Sequence, residues 1–211
     1  MKQSIKLDPT KVAHLKAKSS EMKALIDLIG PLEVSIVDDP FIALITQVIY
    51  QFISFKAANK IVERFYDNFK EITPDSILSC SYDEIKNVGL SHSKTKYIFH
   101  IAKAFKQDEI DLNFHSMNDD QVKRELQKIK GIGTWTSDMF LIFHLNRDNV
   151  LCYSDVAIRK GIEWLYDLDH SLSKEEFKYY QDLFAPYGTI ASHYLWEITI
   201  RSYWAKKDHI V

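Results

Sequence analysis

Cysteine is scarce in this chain of 211 residues, and the two that occur, Cys80 and Cys152, lie far apart in the sequence. Because no Cys-x-x-Cys pair is present, the chain has too few thiol ligands for a disulfide framework, a zinc site or an iron–sulfur cluster. We therefore expect reduced cysteines and no requirement for a cofactor.

Long apolar runs are also missing. No stretch approaches about 18 uninterrupted apolar residues, and the first residues, Met1 to Lys6, lack the apolar segment of a secretory signal. We expect an intracellular, cytoplasmic protein with no membrane partner. We also expect a monomer.

Net charge is small, at −2, with an isoelectric point near 6.4. Phosphate neutralisation needs clustered Lys and Arg, so this balance argues against a purely electrostatic nucleic-acid binder. Lysines are nevertheless concentrated in one region. Five occur between residues 86 and 106 with no acid among them, namely Lys86, Lys94, Lys96, Lys103 and Lys106. This pattern is compatible with one basic face, and equally with several ordinary solvated helix surfaces.

The sequence shows no convincing alternating strand, no internal repeat and no low-complexity linker, whereas apolar residues recur at the three-and-four spacing of helices. The predicted helical stretches are Phe41 to Phe52, Ala57 to Phe69, Tyr97 to Phe105, Val122 to Ile129, Trp135 to Phe143, and about 173–185 and 189–204. Pro40 is typical of a helix start, and Ser81 to Glu84 matches a capping box. The fold class is therefore predicted to be all-α.

Two glycines, Gly131 and Gly133, interrupt the helical pattern on either side of Ile132 and predict a tight hairpin between two helices. A glycine-rich turn that opens a helix presents unpaired N–H groups at the positive end of the helix dipole, which suits a phosphate oxygen. We expect Ile132 to anchor the turn in the core. Taken alone, the pattern is more typical of a plain connection between helices, which commonly uses glycine.

The surrounding residues resemble a known family. Leu126 to Thr136, followed by Asp155 in the run Tyr153 to Gly161, resembles the signature of the helix-hairpin-helix DNA glycosylase superfamily, known as HhH-GPD. Three further blocks agree in order, namely Asp39 to Ala58, Val88 to Ile98 and Ala185 to Trp196. The resemblance covers about residues 20–204.

The resemblance implies a two-lobed helical bundle that forms a single glycosylase unit. One helical barrel lobe spans about 40–150 and contains the hairpin at 127–135. The second lobe combines the N-terminal segment, about 1–38, with the C-terminal segment, about 155–211. The implied partner is damaged double-stranded DNA, which in a bacterium would mean association with the nucleoid.

Within this superfamily the chain is most similar to the alkylpurine glycosylases of the 3-methyladenine glycosylase II type. The bifunctional branch, which also cuts the strand, carries Lys two places after the second hairpin glycine, where this chain has Trp135. An indole cannot form the Schiff base that strand cleavage requires. The resemblance thus implies hydrolysis of the N-glycosidic bond of alkylated purines, in base excision repair, without a lyase step. Another departure is Gly188, where several relatives have Arg.

Asp155 matches the catalytic aspartate of the family. Breaking the bond between C1′ and the base builds positive charge on the sugar, which an ionised carboxylate stabilises. An alkylated purine already bears positive charge and leaves as a neutral base, which removes the need for a strong general acid. From the residues alone, Asp155 is better explained as the cap of a helix that starts at Val156, and the catalytic interpretation depends on the resemblance.

Other implied roles concern the DNA. The position of Phe52, directly after Gln51, matches the wedge that fills the gap left by a flipped base, although Phe52 also continues the apolar stripe of its helix and could be core. The base pocket is assigned to Trp196, Trp135, Tyr50 and Met139, the last two with core as the rival interpretation. Phosphate binding is assigned to Gly131, Ile132, Gly133, Thr134 and Thr136. A structural Na⁺ or K⁺ is implied at the backbone carbonyls of Gln127, Ile129 and Gly131.

Two alternatives remain open at this point. The first keeps the enzyme but changes the lesion to deaminated or oxidised bases. The second is a DNA-damage-binding module that uses the hairpin for phosphate contact without catalysis. His193 lies near Trp196 in the sequence, but a lone histidine gives no reason to expect proton transfer.

Overall fold

The structure is a computed structural model that describes residues 2–203. Within this range the chain forms twelve α-helices, one short 3₁₀ helix and one pair of short strands. The all-α prediction is confirmed. The predicted parts of the second lobe at residue 1 and at 204–211, and the last residue of the helix predicted at 189–204, lie outside the described residues. None of the helices that the structure describes is long and apolar enough to cross a membrane.

The chain divides into two compact units. The first is one continuous segment, Val37–Leu145, and the second combines residues 2–36 with the segment from Asn146 onward. These bounds lie within about ten residues of the lobes that the family resemblance implies. The second unit is discontinuous because the chain leaves it after residue 36 and returns to it at Asn146.

The first unit contains the helices α3 to α9. Their bounds are α3 Pro40–Tyr50, α4 Phe55–Asn68, α5 Pro74–Ser79, α6 Tyr82–Lys86, α7 His92–Lys106, α8 Asp119–Leu126 and α9 Thr134–Phe143, with the 3₁₀ helix at Phe114–Ser116 before α8. Helix α3 is central because it packs on α4, α7 and α9. Eight of its eleven residues are buried, as expected for a helix that is apolar on every side.

Capping residues set the helix starts as predicted. Asp39 accepts from the N–H of Ile42 at the start of α3, with Pro40 in the first turn. Ser81 and Glu84 form the predicted capping box of α6. Asn118 is the N-cap residue of α8. Each of these side chains satisfies main-chain donors that a helix start leaves unpaired.

The second unit contains strands β1 Lys2–Lys6 and β2 Glu33–Val37 and helices α1 Pro9–Lys18, α2 Ser20–Ile29, α10 Val156–Leu165, α11 Lys174–Phe184 and α12 Gly188–Ile200. Helix α12 is almost entirely buried and packs on α1, α2, α10 and α11. The expectation of no strand was wrong. Strand β2 alternates exposed and buried residues and pairs with β1, but each strand has only five residues, too few for a clear pattern.

Candidate functional site

Asp155 is the N-cap residue of α10. Its Oδ1 accepts a hydrogen bond from the N–H of Ile158 at 2.9 Å and another from the indole Nε1–H of Trp196 at 3.3 Å. The residue is only 7% exposed, yet both neighbours, Ser154 and Val156, are exposed, so the carboxylate lies just beneath the surface of the second unit. The capping interpretation is correct, and it is compatible with a catalytic role because a cap does not consume the charge.

Trp196 is buried in α12, at 4% exposure, and its indole N–H holds Asp155 in place. Sequence reasoning assigned this tryptophan to a base pocket and missed its hydrogen bond to the carboxylate. No local pattern could have shown that bond, because the two residues are 41 positions apart. The pocket role of Trp196 stays a prediction.

His193 packs edge-on against Trp196, with ring centroids 5.4 Å apart. Burial lowers the pKa of His193 to about 4, because an imidazolium would lose its hydration inside the protein. The ring is therefore neutral at pH 7. A neutral imidazole with so low a pKa is a poor proton donor, which agrees with the expectation that His193 has no proton-transfer role.

The predicted hairpin joins α8 to α9 in the first unit. The N–H of Ile129 donates to the carbonyl of Leu126, and the N–H of Ile132 donates to that of Ile129, which closes the turn. Ile132 is buried, at 6% exposure, as predicted for an anchor. Gly131 has φ of +103°, and a Cβ there would lie 2.2 Å from the Cγ of Tyr97. Only glycine fits this position, both by conformation and by space.

Helix α9 starts with uncapped amides. Gly133 is its N-cap residue and supplies no side-chain cap, and both Gly133 and Thr134 are exposed. The N–H groups of the first helical turn have no partner within the helix, so this end suits an anion. Thr136 was also assigned to phosphate binding. Its side chain is only 1% exposed, and its hydroxyl oxygen accepts a hydrogen bond from Nε2 of Gln51. Any contact of Thr136 with phosphate would have to use its main-chain N–H.

Phe52 follows the end of α3. It is fully exposed, at 100%, and has a left-handed φ of +56°. The interpretation of Phe52 as a core residue was wrong, because the helix ends at Tyr50 and the chain turns before the stripe continues. A fully exposed aromatic ring on a turn is compatible with the predicted wedge role.

The other pocket candidates lie in the first unit. Trp135 is partly exposed in the first turn of α9. Tyr50 is partly buried, and its hydroxyl donates to Oδ1 of Asn59. Met139 is 2% exposed in the middle of α9, which fits the core interpretation. The base-pocket role of all three stays a prediction.

Several basic side chains of the lysine-rich region, residues 86–106, are buried or paired with acids. Lys94 is buried and donates from Nζ to the carbonyl of Ile49 at 2.8 Å, and burial lowers its pKa. Within the region, Lys103 pairs with Glu109 and Lys106 with Asp75. Further along the chain, Lys123 pairs with Asp138 and Lys128 with Glu125. The charge of these four lysines is balanced locally.

Gly188 begins α12, and its N–H donates to Oδ1 of Asn149 at 3.2 Å. A Cβ at this position would lie 3.1 Å from the same oxygen and 3.4 Å from the main chain of Val150. A larger side chain here would require a small movement of the Asn149 side chain.

Comparisons of sequence and structure show which known proteins the chain is similar to. The family model described as "HhH-GPD superfamily base excision DNA repair protein" matches residues 45–186. The DNA-3-methyladenine glycosylase 1 of Schizosaccharomyces pombe is 32% identical over 87% of this chain and 84% of that protein.

Two solved structures are similar over nearly the whole chain. The S. pombe 3-methyladenine DNA glycosylase in complex with abasic DNA has a TM-score of 0.83 and 29% identity, covering 90% of this chain and 97% of that one. A DNA-3-methyladenine glycosidase from Bacillus halodurans has a TM-score of 0.79 and 27% identity, covering 99% and 97%.

Proposed function

The chain belongs to the HhH-GPD superfamily of base excision DNA repair proteins, and from that premise we propose that it is a DNA glycosylase that hydrolyses the N-glycosidic bond of alkylated purines in duplex DNA. The proposed substrates are of the 3-methyladenine and 7-methylguanine class, and the product is an abasic site. One observation carries the proposal, namely a carboxylate, Asp155, held by two N–H donors just beneath the protein surface.

Asp155 supplies the negative charge. As the bond to the base breaks, C1′ of the sugar becomes positive, and a fixed carboxylate stabilises that charge more strongly than water would, because the protein dipoles are already oriented. Asp155 stands at the N-terminus of α10, where the partial positive charge of the helix end attracts a negative side chain. The bonds from Ile158 and Trp196 fix one carboxylate oxygen, which orients the group before the DNA arrives.

The leaving group needs little help. A 3- or 7-alkylated purine is cationic and departs as a neutral base, so the reaction proceeds without a strong acid in the protein. His193, whose imidazole packs against Trp196, is neutral at pH 7 and supplies no proton. Ordinary purines are poorer leaving groups and react more slowly, which contributes to selectivity for the damaged base.

No strand cleavage is expected. Trp135 occupies the place where the bifunctional branch of the family has its lysine, and an indole cannot attack C1′ to form an imine. Lys94 is not a substitute, because its ammonium group is buried and donates to a carbonyl inside the first unit. A water molecule is therefore the nucleophile that completes the reaction.

Two elements of the first unit are proposed to hold the DNA. The uncapped amides at the start of α9, after Gly133, bind a phosphate, and Phe52 enters the base stack where the lesion has flipped out. The cost of flipping is lowest for damaged or mispaired bases, which adds selectivity. Because a single chain supplies all of these residues, we propose that the monomer is the active form.

A monovalent cation at the hairpin is also proposed, with the main-chain carbonyls of Gln127, Ile129 and Gly131 as ligands. The carbonyl of Ile129 accepts from Ile132, and that of Gly131 accepts from Gln51, but a carbonyl oxygen has two lone pairs and each retains one for a metal. Neutral, hard oxygen ligands suit Na⁺ or K⁺. A bound cation would add positive charge beside the phosphate, and a Tm that rises with KCl beyond the rise in matched choline chloride would support it.

The proposed function is tested by incubating the purified protein with methylated duplex DNA and separating the released bases by chromatography. Release of 3-methyladenine or 7-methylguanine with intact strands is the expected result. Release only from deaminated or oxidised duplexes would change the substrate class. DNA binding without release from any damaged duplex would favour a non-catalytic module. A covalent adduct after borohydride treatment would contradict hydrolysis without a lyase step.

A further inference from the structure

The side chain of Gln51 joins the segment before Phe52 to the hairpin. Gln51 is 7% exposed, and its Nε2 donates to the carbonyl of Gly131 at 3.1 Å and to Oγ1 of Thr136 at 2.8 Å. Both N–H donors of the amide are therefore used. Since the Gly131 carbonyl only accepts, the nitrogen end of the amide must face the hairpin, which fixes its orientation.

The two acceptors bracket the amides that are proposed to bind phosphate. Gly131 precedes the N-cap residue of α9, and Thr136 lies in the first helical turn. The other side of Gly131 is fixed by close contact with the ring of Tyr97 in α7. A single glutamine thus holds both ends of the turn from the side of α3.

The residue that follows Gln51 is the exposed Phe52. Its left-handed φ of +56° is unfavourable for a bulky side chain and needs support from its surroundings. On the preceding side, Nζ of Lys94 holds the carbonyl of Ile49 at 2.8 Å, and Gln51 is tied to the hairpin. On the following side, Ser54 caps α4 by accepting from the N–H of Ala57. Phe52 therefore lies on a turn that hydrogen bonds hold on both sides.

We propose that Gln51 is a positioning residue, which sets the place of the Phe52 wedge relative to the phosphate-binding turn. Because Gln51 connects the Phe52 turn to the hairpin, the Phe52 ring enters the duplex at a constant distance from the phosphate that the hairpin binds. Gln51 itself touches no substrate and acts through Phe52. This inference rests on the proposed function, in which Phe52 replaces the flipped base.

The test uses Gln51→Met, which keeps the length and apolar stem of the side chain and removes both donors. Single-turnover excision is measured on a lesion in a normal pair and on the same lesion in a single-nucleotide bulge, where it is already poorly stacked. We expect a fall of about 10- to 100-fold on the paired lesion, as a small misplacement can produce. On the bulge we expect a fall of about threefold or less, because little flipping work remains. Equal falls on both substrates, or none, would overturn the proposal.

Two further variants separate positioning from loss of folding. Ile77→Val removes one buried methylene from α5, which lies in the same unit. It should lower stability without changing the ratio of the excision rates on the paired and the bulged lesion. In a Phe52→Ala background, Gln51→Met should produce a further fall of no more than about twofold, since the wedge that it positions is gone. Falls that multiply independently would contradict action through Phe52.

A second readout does not require catalysis. A 2-aminopurine placed beside a tetrahydrofuran abasic analogue reports local unstacking by its fluorescence when the protein binds. Gln51→Met should reduce the fluorescence increase at saturating protein, and an unchanged increase would overturn the positioning role. If the wild-type protein raises the fluorescence, Gln51→Met raises it less, and neither protein releases an alkylated purine, the proposed function fails while the inference about Gln51 stands.

Discussion

Replacing Gly131 with alanine should destabilise the first unit through backbone strain and through a clash with the ring of Tyr97. Gly131 has φ of +103°, where a residue with a Cβ is strained by about 1–2 kcal/mol. The new Cβ would also lie 2.2, 2.3 and 2.7 Å from three ring carbons of Tyr97. Carbon atoms pack at about 3.5–4.0 Å, so the ring must move by more than about 1 Å.

Overpacking of this kind costs about 1–3 kcal/mol, so the total for Gly131→Ala is about 2–5 kcal/mol. For a chain of this size, that corresponds to a fall in Tm of roughly 4–20 °C, measured by circular dichroism or calorimetry. Gly133→Ala is the matched control because nothing lies within 4 Å of its Cβ position and its φ is −109°. Its effect on stability should stay below about 1 kcal/mol.

A second variant divides the cost of Gly131→Ala into its two causes. Adding Tyr97→Ala removes the ring that the new Cβ would meet, so the loss caused by Gly131→Ala should shrink to the backbone strain alone. The double-mutant cycle isolates the contact with Tyr97. A wild-type Tm for Gly131→Ala, or the same loss in both backgrounds, would refute the reasoning.

Other predictions concern single side chains. Phe52→Ala should leave stability unchanged within about 0.5 kcal/mol, because the ring is fully exposed, while slowing excision of paired lesions. Lys123→Met should lower the free energy of unfolding in urea by up to about 3 kcal/mol, because it removes the ion-pair partner of the buried Asp138 carboxylate. Adding Asp138→Asn should restore part of that free energy. The folded-state pKa of His193 is about 4, below that of an unfolded histidine, so its contribution to stability is complete above about pH 6.5. That contribution falls by up to about 3 kcal/mol as the pH drops to 4, and this dependence should be absent in His193→Gln.

Much of the site was predictable because its signals are local. The start of α10 after Asp155 and the turn around Gly131 each depend on residues within a few positions of one another. The fold class followed from periodicity for the same reason. The exposure of Phe52 depends on where α3 ends, and a continuing apolar stripe concealed that end.

Contacts between distant residues were not predictable. The bond between Trp196 and Asp155 spans 41 positions, and that between Gln51 and Thr136 spans 85. The burial of Lys94 was hidden in the same way, because its acceptor is a main-chain carbonyl, which has no signature in the sequence. Each of these contacts forms only when the helices pack together, so the pattern of neighbouring residues in the sequence does not predict it.

The central claim, that the negative charge of Asp155 drives base release, is tested most directly by Asp155→Asn. Asparagine caps a helix about as well as aspartate, and its Oδ1 can keep the bonds from Ile158 and Trp196, so only the charge is lost. We predict unchanged Tm and DNA binding, with single-turnover release from methylated duplex DNA slowed at least about 100-fold. Release at a rate close to that of the wild-type protein would contradict the claim.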